Sequence, residues 1–391
     1  MALTRTLLLA FTLLFTTQTL TAQVLTSKSY ENGMVVSADY HASEIGKQIL
    51  QQGGNAVDAA VAVQFALAVT LPRAGNIGGG GFMVVHLADG ETNTLDFREK
   101  APERASRNMY VRNGEFKSDL SWEGILAVGV PGTVDGMIKA IERYGRMPLD
   151  MVIQPAIKLA REGYPLSYTQ AQDLNNHKDT FRKYQASARY FTTGDSTLFR
   201  EGDLFVQEDL AKTLERIARF GREGFYAGPV ADAIVNEMDR YRGLIGYRDL
   251  RNYESVWREP IVADFLGYKL HIMPPPSSGS VAIAQILEMI DDYPLAEMGH
   301  NSAEYVHVVS EAMRRAFADR SYYLGDPDFV DIPMEELLSE EYNNDRMTSF
   351  RDDQATTSES LEHGEIAEFL ESSETTHFSI VDKDGNAVSV T

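Results

Sequence analysis

The 391-residue sequence contains no cysteine, which excludes disulfide bonds and cysteine-ligated metal sites. Basic residues are also scarce: 36 lysines and arginines stand against 57 acidic residues, and the formal net charge is −21 at pH 7. A chain of this charge is repelled by nucleic-acid backbones and by anionic membrane surfaces, so nucleic-acid binding is not expected. Long apolar runs are missing as well. The most apolar stretch, 59–71, contains Gln64 and ends before Pro72, which predicts a buried helix and not a membrane span.

The first 22 residues have the three-part layout of a secretory signal peptide. A short basic region ends at Arg5, an apolar run covers 7–15, and small residues precede Gln23. The apolar run is too short to cross a bilayer. We therefore expect residues 1–22 to be removed on export, leaving a periplasmic or secreted chain that begins near Gln23 and has no membrane span.

A run of four glycines at 78–81 precedes a β-prone segment. In phosphate-binding loops the glycines follow a strand and open a helix, and a Lys-Ser or Lys-Thr pair comes next. Neither condition holds here. The run therefore predicts close backbone packing beside a site, where a Cβ atom would collide, and not nucleotide binding.

Arg98 follows the second strand of a predicted hairpin, whose strands at 82–88 and 92–97 flank an Asp-Gly turn. The residue lies on a loop that Pro102 closes. A guanidinium in this position can hold a carboxylate through two parallel hydrogen bonds. The residues alone favour the alternative, a surface ion pair between Arg98 and Asp96 or Glu99.

The end of the sequence combines an acidic segment with a threonine pair. Residues 351–374 include eight acidic residues and one arginine, and the region from about 339 to 374 predicts a solvated, mobile tether. Thr375 and Thr376 then open an alternating strand, which an Asp-Gly turn separates from a second strand at 386–391. A mobile tether directly before a threonine pair indicates a place where the chain is cut.

These segments resemble the γ-glutamyltransferase (γ-glutamyltranspeptidase) family of N-terminal-nucleophile hydrolases. The resemblance runs in one order from about Met34 to the end. The motifs that carry it are GGNAVDAAVA (53–62), GNIGGGGF (75–82), DFREKAP (96–102), VGVPGTV (128–134), NYESVWREPI (252–261), MPPPSSG (273–279), ADRSYYLGDPDF (318–329) and TTHFSIVDKDGNAVSVT (375–391). It implies an α+β fold, the four-layer αββα sandwich, with the hairpin at 375–391 in its centre.

The resemblance further implies a precursor that cuts itself between Glu374 and Thr375. Residues 23–374 would form the large subunit of a heterodimer, and the small subunit would begin with Thr375. Thr375 would then be the nucleophile that takes a γ-glutamyl group from glutathione or a related compound and passes it to water or to an amino-acid or peptide amine. Arg98 matches the arginine that holds the α-carboxylate, and Thr376 is assigned to packing or support. No metal or organic cofactor is implied.

The sequence stops in mid-strand, so the central sheets and the small subunit are expected to be incomplete. A chain of this extent is expected to be a poorly soluble fragment with little processing or turnover, derived from an incomplete gene model. Two alternatives stay open. One is a related acylase of β-lactam side chains, in which Arg98 holds a dicarboxylate without an amine, and the other is a non-catalytic exported scaffold of the same fold.

Overall fold

The structure is a computed structural model that describes residues 30–194, 197–361 and 375–391. The signal peptide predicted at 1–22, the later part of the predicted tether and Glu374 lie outside these residues. The chain divides after Asn32 into a short unit and a unit of residues 33–391, and the second unit is the one described below.

The strands of the described residues are β1 (Gly33–Val36), β2 (Phe82–His86), β3 (Thr92–Asp96), β4 (Val111–Arg112), β5 (Glu115–Phe116), β6 (Tyr164–Pro165), β7 (Leu204–Phe205), β8 (Val256–Arg258), β9 (Ile261–Phe265), β10 (Tyr268–Ile272), β11 (Phe378–Asp382) and β12 (Ala387–Val390).

The first α-helices are α1 (Tyr40–Gln51), α2 (Ala56–Thr70), α3 (Asp119–Trp122), α4 (Thr133–Tyr144), α5 (Leu149–Glu162), α6 (Tyr168–Asn176), α7 (Lys178–Phe181), α8 (Gln185–Phe191) and α9 (Glu208–Phe220). The later ones are α10 (Glu223–Tyr226), α11 (Gly228–Tyr241), α12 (Tyr247–Asn252), α13 (Ser278–Ile290), α14 (Leu295–Met298), α15 (Ala303–Tyr323), α16 (Met334–Leu337) and α17 (Glu340–Met347), and a 3₁₀ turn covers Ser358–Ser360.

The centre of the fold is an antiparallel six-stranded sheet in the order β1-β11-β12-β2-β3-β8. Alternate residues of each strand point to the same face. The side chains that the sheet buries on its helical face include Met83, Leu95, Ile380, Val388 and Val390. The predicted hairpin at 375–391 therefore lies inside the sheet, between β1 and β2, and its register pairs Phe378 with Val390.

Helix α2 packs against β11 and β12 and is buried along its whole length. Its many alanines allow the neighbouring elements to approach closely. The helix begins with a capping box, in which Asn55 accepts hydrogen bonds from the start of the helix and Asp58 accepts one from the backbone of Asn55. These features confirm the buried helix predicted at 59–71, and with the sheet they confirm the α+β class.

The described part of the predicted tether is ordered. Helix α17 lies within its first part and buries Asn343 and Met347. Ser349 and Thr356, farther along, accept hydrogen bonds from the fully buried guanidinium of Arg315 in α15, at 2.8 and 3.2 Å. The prediction of a tether from residue 339 is thus wrong for this part, because a few buried contacts order a segment whose overall composition is acidic and polar.

Two smaller apolar clusters join α13, α15 and α17 beside the main core. None of the helices in the described residues combines the length and the apolar composition needed to cross a membrane.

Candidate active site

Arg98 lies at one end of the six-stranded sheet, directly after β3. The pairing of β2 with β3 continues beyond the strands, because Phe97 donates to the carbonyl of Gly81 at 3.0 Å and accepts from its N–H at 3.3 Å. The Arg98 side chain is exposed, and its Cζ lies 5.8 Å from the centroid of the Phe82 ring. Among the described residues it has no ion pair, so the favoured alternative of a pair with Asp96 or Glu99 is wrong.

Asp96 is instead paired with Arg258 of β8. The Arg258 Nε donates to Asp96 Oδ2 at 3.0 Å, and its other nitrogens donate to Asp328 at 3.2 and 3.3 Å. Burial alone would lower the pKa of Arg258, but the hydrogen bonds to these two carboxylates raise it. Asp96 Oδ1 in turn accepts from the backbone N–H of Arg98 at 3.1 Å. The Asp96–Arg258 pair therefore fixes the backbone that carries Arg98.

The other side of the Arg98 backbone is held by Tyr253. The Tyr253 hydroxyl donates to the Arg98 carbonyl at 2.8 Å. Burial raises the pKa of Tyr253 far above its usual value, so the hydroxyl stays protonated and remains a donor. With an anchored N–H and an anchored carbonyl, the Arg98 loop is rigid while its guanidinium stays free to bind.

The glycine run packs closely against the same loop. A Cβ atom on Gly80 would lie 2.5 Å from the Phe97 carbonyl oxygen and 2.8 Å from the Arg98 carbonyl carbon. A Cβ atom on Gly81 would lie 2.5 Å from the carbonyl oxygen of Thr391. The prediction of close backbone packing is confirmed for Gly80 and Gly81, but it is wrong for Gly78, where a Cβ atom would meet no atom within 4 Å.

A cavity of about 370 Å³ opens beside Arg98. It is lined by positively and negatively charged side chains and by the proline-rich connection between β10 and α13. The lining residues include Arg98, Arg258, Pro275, Ser278, Arg320 and Asp326. A cavity of this kind, next to a guanidinium that has no ion pair among the described residues, is suited to a small polar ligand that carries a carboxylate.

Thr375 lies at the same end of the sheet as Arg98. It is exposed, and it lies three residues before the start of β11. At this same end, His377 Nδ1 lies 2.7 Å from Thr391 Oγ1. The Thr391 backbone exchanges two hydrogen bonds with the backbone of Phe82, at 2.9 and 3.0 Å. Antiparallel strands bring the start of β11, the end of β12, the start of β2 and the end of β3 together. Three strand spacings, about 14 Å, separate β11 from β3 at this end.

Thr376 differs from Thr375 in its burial. Its Oγ1 is shielded from solvent and has no hydrogen-bond partner among the described residues. The neighbouring His377 is held on its other side too, because its Nε2 lies 3.1 Å from Ser379 Oγ. The hydroxyl of Thr375 is thus the exposed one of the pair.

The opposite end of the hairpin is anchored by Asp382. Its Oδ2 accepts from the first N–H of α2, on Ala56, at 2.9 Å and from Asn386 Nδ2 at 2.7 Å. Asn386 also accepts from the N–H of Ala88 at 2.9 Å. Burial would raise the pKa of Asp382, but these hydrogen bonds to its ionised form hold the pKa below its usual value. The turn of the hairpin is therefore fixed to α2 and to the loop between β2 and β3.

The sequence did not single out Tyr253, Asp96 or Arg258 as site residues. Arg98 is separated from Tyr253 by 155 positions and Asp96 from Arg258 by 162, so no local spacing connects them. The only signal in the sequence was that Asp96 lies in the motif DFREKAP, and Tyr253 and Arg258 lie in the motif NYESVWREPI, which both carry the resemblance. In the described part of the chain, no group of three or more histidine, aspartate or glutamate side chains is arranged to hold a metal ion.

Comparison with known proteins gives one consistent result. The family model described as gamma-glutamyltranspeptidase matches residues 42–391. The glutathione hydrolase proenzyme of Escherichia coli (strain K12) is 44% identical over 362 residues, which cover 92% of this chain and 62% of that protein. The chain thus spans about 62% of the length of this curated relative.

Solved structures agree with the sequence match. The gamma-glutamyltranspeptidase of Helicobacter pylori superposes with a TM-score of 0.85 at 45% identity, covering 89% of this chain and 99% of that chain. A cephalosporin acylase from Bacillus halodurans superposes with a TM-score of 0.81 at 29% identity, covering 94% of this chain and 68% of that chain. The arrangement of sheet and helices is therefore shared with enzymes of both kinds.

Proposed function

This chain belongs to the gamma-glutamyltranspeptidase family, and from that premise we propose that it acts as a γ-glutamyltransferase and glutathione hydrolase. The observation that carries the proposal is that two suitable groups lie at the same end of the sheet. Arg98 offers an exposed guanidinium on a rigid loop, and Thr375 offers an exposed hydroxyl at the start of the central hairpin.

The proposed first reaction is self-cleavage between Glu374, which lies outside the described residues, and Thr375. The Thr375 Oγ attacks the Glu374 carbonyl carbon, the peptide C–N bond breaks, and the nitrogen leaves as the α-amino group of Thr375. Water then hydrolyses the ester, which releases the Glu374 carboxylate and restores the hydroxyl. The products are a large subunit that ends at Glu374 and a small subunit that begins with Thr375, held together as a heterodimer.

The proposed second reaction is acyl transfer through the same hydroxyl. A free α-amino group has a pKa near 7.7–8.0, so part of it is neutral at working pH and can accept the proton of its own Oγ. The Oγ attacks the γ-carbonyl carbon of glutathione or a related γ-glutamyl compound, and the leaving amine takes up a proton. Water or the amine of an amino acid or peptide then attacks the ester and regenerates Thr375.

Arg98 is proposed to orient the substrate by binding the α-carboxylate of the γ-glutamyl group. Its guanidinium can form two parallel hydrogen bonds with a carboxylate, and a preformed site of this kind lowers the entropy that the substrate loses on binding. The cavity beside Arg98 provides room for the remainder of the donor. Residues 1–22 are proposed to direct the chain to export, to the periplasm or beyond the cell.

A second candidate function is the acylase reaction, and the similarity to the cephalosporin acylase favours keeping it. Arg98 would then hold the carboxylate of a glutaryl group. The two functions differ in their need for an α-amino group on the donor. Comparison of γ-glutamyl-4-nitroanilide with glutaryl-4-nitroanilide separates them: faster release of nitroaniline from the γ-glutamyl compound supports the transferase, and the reverse order supports the acylase.

The nucleophile is tested with a matched pair of variants in the protein as its gene encodes it. Thr375→Val and Thr376→Val each remove one hydroxyl while keeping the branched shape. By intact-mass analysis, the native protein and Thr376→Val are expected to break between Glu374 and Thr375, and Thr375→Val is expected to stay whole. Cleavage of Thr375→Val, or an unbroken native chain under folding conditions, contradicts the mechanism.

A further inference from the structure

A second cavity lies away from the Arg98 loop, between the end of α2 and helices α6–α8. Its volume is about 140 Å³. The floor consists of buried side chains, and the walls are largely aromatic. The apolar part of the lining includes Leu71, Tyr164, Leu174, Phe181, Phe191 and Phe205. No residue that lines the cavity beside Arg98 also lines this one.

The size of this cavity matches one specific class of ligand. An apolar protein cavity of about 150 Å³ lined by leucine, isoleucine and phenylalanine stays free of water and binds benzene. The polar atoms near the floor already have partners. The Tyr164 hydroxyl donates to the carbonyls of Val69 and Thr70 at 3.3 and 3.2 Å, and Gln170 Nε2 donates to the Thr70 carbonyl at 2.7 Å. A ligand therefore needs no polar group at the floor.

The geometry of the walls favours an aromatic ring over an aliphatic group of equal size. The rings of Tyr164 and Phe205 meet edge to face with centroids 5.9 Å apart, and those of Phe191 and Phe205 are stacked at 6.1 Å. Phe181 and Phe191 lie 5.2 Å apart. These are the separations at which aromatic pairs attract through their quadrupoles, and one more ring in the cavity would continue the same pattern.

The mouth of the cavity is polar and carries both signs of charge. Arg73 and Asp173 form a loose ion pair with a nitrogen–oxygen distance of 3.7 Å, and both side chains are partly exposed. His177, which is exposed, completes the rim. A polar substituent on the ring would reach water at this point without burying a charge, so the site selects for the ring and leaves its substituent free.

We propose that this cavity is a binding site for small compounds with a single six-membered aromatic ring. The wall formed by Leu71 and Arg73 belongs to the turn that leads from α2 into the glycine run, because the N–H of Gly75 donates to the Leu71 carbonyl at 2.7 Å. A bound ring thus contacts the start of the segment that leads from α2 to residues 78–81. The site is distinct from the proposed donor site and does not depend on the proposed function.

Toluene and methylcyclohexane are the matched probes for this site. Saturation-transfer NMR with the full protein is expected to detect toluene, bound about 2- to 10-fold more tightly than methylcyclohexane because of the aromatic walls. Absence of toluene binding up to its solubility limit overturns the site. Equal or tighter binding of methylcyclohexane overturns the proposed selectivity for aromatic rings.

A variant in which a larger side chain fills the cavity provides the control for the location of the site. Leu174→Phe places a ring in the cavity and is expected to weaken toluene binding about tenfold or more through steric overlap. Leu198→Phe makes the same exchange at an exposed position outside the cavity and is expected to leave binding unchanged. Intermolecular NOEs from toluene to Phe181 and Phe191 test the location without any variant. Unaltered binding by Leu174→Phe, or NOEs to other residues only, contradicts the proposal.

Discussion

Gly80→Ala tests whether the glycine run sets the position of Arg98. The added Cβ would lie 2.5 Å from the Phe97 carbonyl oxygen, 2.7 Å from the Glu99 nitrogen and 2.8 Å from the Arg98 carbonyl carbon. All three are backbone atoms, so no side chain can rotate away. Ordinary contact begins near 3.4 Å, so the loop of residues 97–99 must retreat by about 0.9 Å from the position seen here.

A displacement of this size has a large kinetic effect. Misplacement of a substrate-binding group by about 1 Å costs up to about 100-fold in rate. We expect kcat/KM for γ-glutamyl-4-nitroanilide to fall about 30- to 100-fold, which corresponds to about 2–3 kcal/mol. The loss should be much smaller for 4-aminobutyryl-4-nitroanilide, which lacks the α-carboxylate. Overpacking also lowers the free energy of unfolding by about 1–3 kcal/mol, which thermal denaturation measures.

Gly78→Ala is the matched control for this experiment. A Cβ at Gly78 meets no atom within 4 Å, and its backbone does not require the left-handed region. The control should therefore keep native kinetics and native stability. The reasoning fails if Gly80→Ala stays within about twofold of Gly78→Ala, or if it loses the same factor on both substrates.

Two further predictions concern Tyr253 and Glu311. Tyr253→Phe removes the hydroxyl that donates to the Arg98 carbonyl, a hydrogen bond worth about 0.5–1.5 kcal/mol, so KM for the γ-glutamyl donor should rise about 2- to 10-fold with little change in kcat. The exposed Tyr268→Phe should leave steady-state kinetics unchanged, and a fall in kcat at constant KM would contradict the assignment. Burial raises the pKa of Glu311, but hydrogen bonds from Arg315, Thr356 and Arg314 outweigh it and lower the pKa to about 2. The stabilisation is therefore present above about pH 4.5 and is lost as the pH falls towards 2. Glu311→Gln should lower the free energy of unfolding at pH 7 by about 3 kcal/mol in urea denaturation and flatten its pH dependence in that window, whereas the exposed Glu304→Gln should do neither.

Much of the secondary structure followed from local pattern. The buried helix was predicted because the stretch 59–71 is almost entirely apolar, and α2 covers Ala56–Thr70. The two hairpins followed from Asp-Gly turns between alternating segments. Proline is most common at the start of a helix, yet α5 begins at Leu149 and contains Pro155 in its interior. Proline in a helix interior is normally unfavourable, and burial of Val152, Ile153 and Ala156 against the core offsets that cost.

The site was harder to predict from local pattern than the fold. The exposed position of Arg98 depends on which residue takes Asp96 as its partner. Asp96 is two residues away from Arg98, so the sequence spacing alone predicts an ion pair between the two side chains. In the folded chain, Arg258 reaches Asp96 from the adjacent strand β8, and Asp96 uses its second oxygen for the Arg98 backbone. The sheet topology decides which arginine pairs with Asp96, and this topology cannot be inferred from the spacing of residues in the sequence.

The same sheet topology explains why glycines are needed at positions 80 and 81. The two proposed site residues are linked by consecutive backbone pairings at one end of the sheet: Phe378 with Val390, Thr391 with Phe82, and Gly81 with Phe97. Gly79 accepts from the N–H groups of Gly132 and Thr133 at 2.7 and 3.1 Å, so the part of the run from Gly79 to Gly81 is crowded on both faces of the backbone. A side chain at Gly80 or Gly81 would push apart the strands that carry the threonine and the arginine. Gly80 and Gly81 therefore set the distance between the proposed nucleophile and the proposed carboxylate-binding arginine, a geometric requirement that a nucleotide-binding loop does not share.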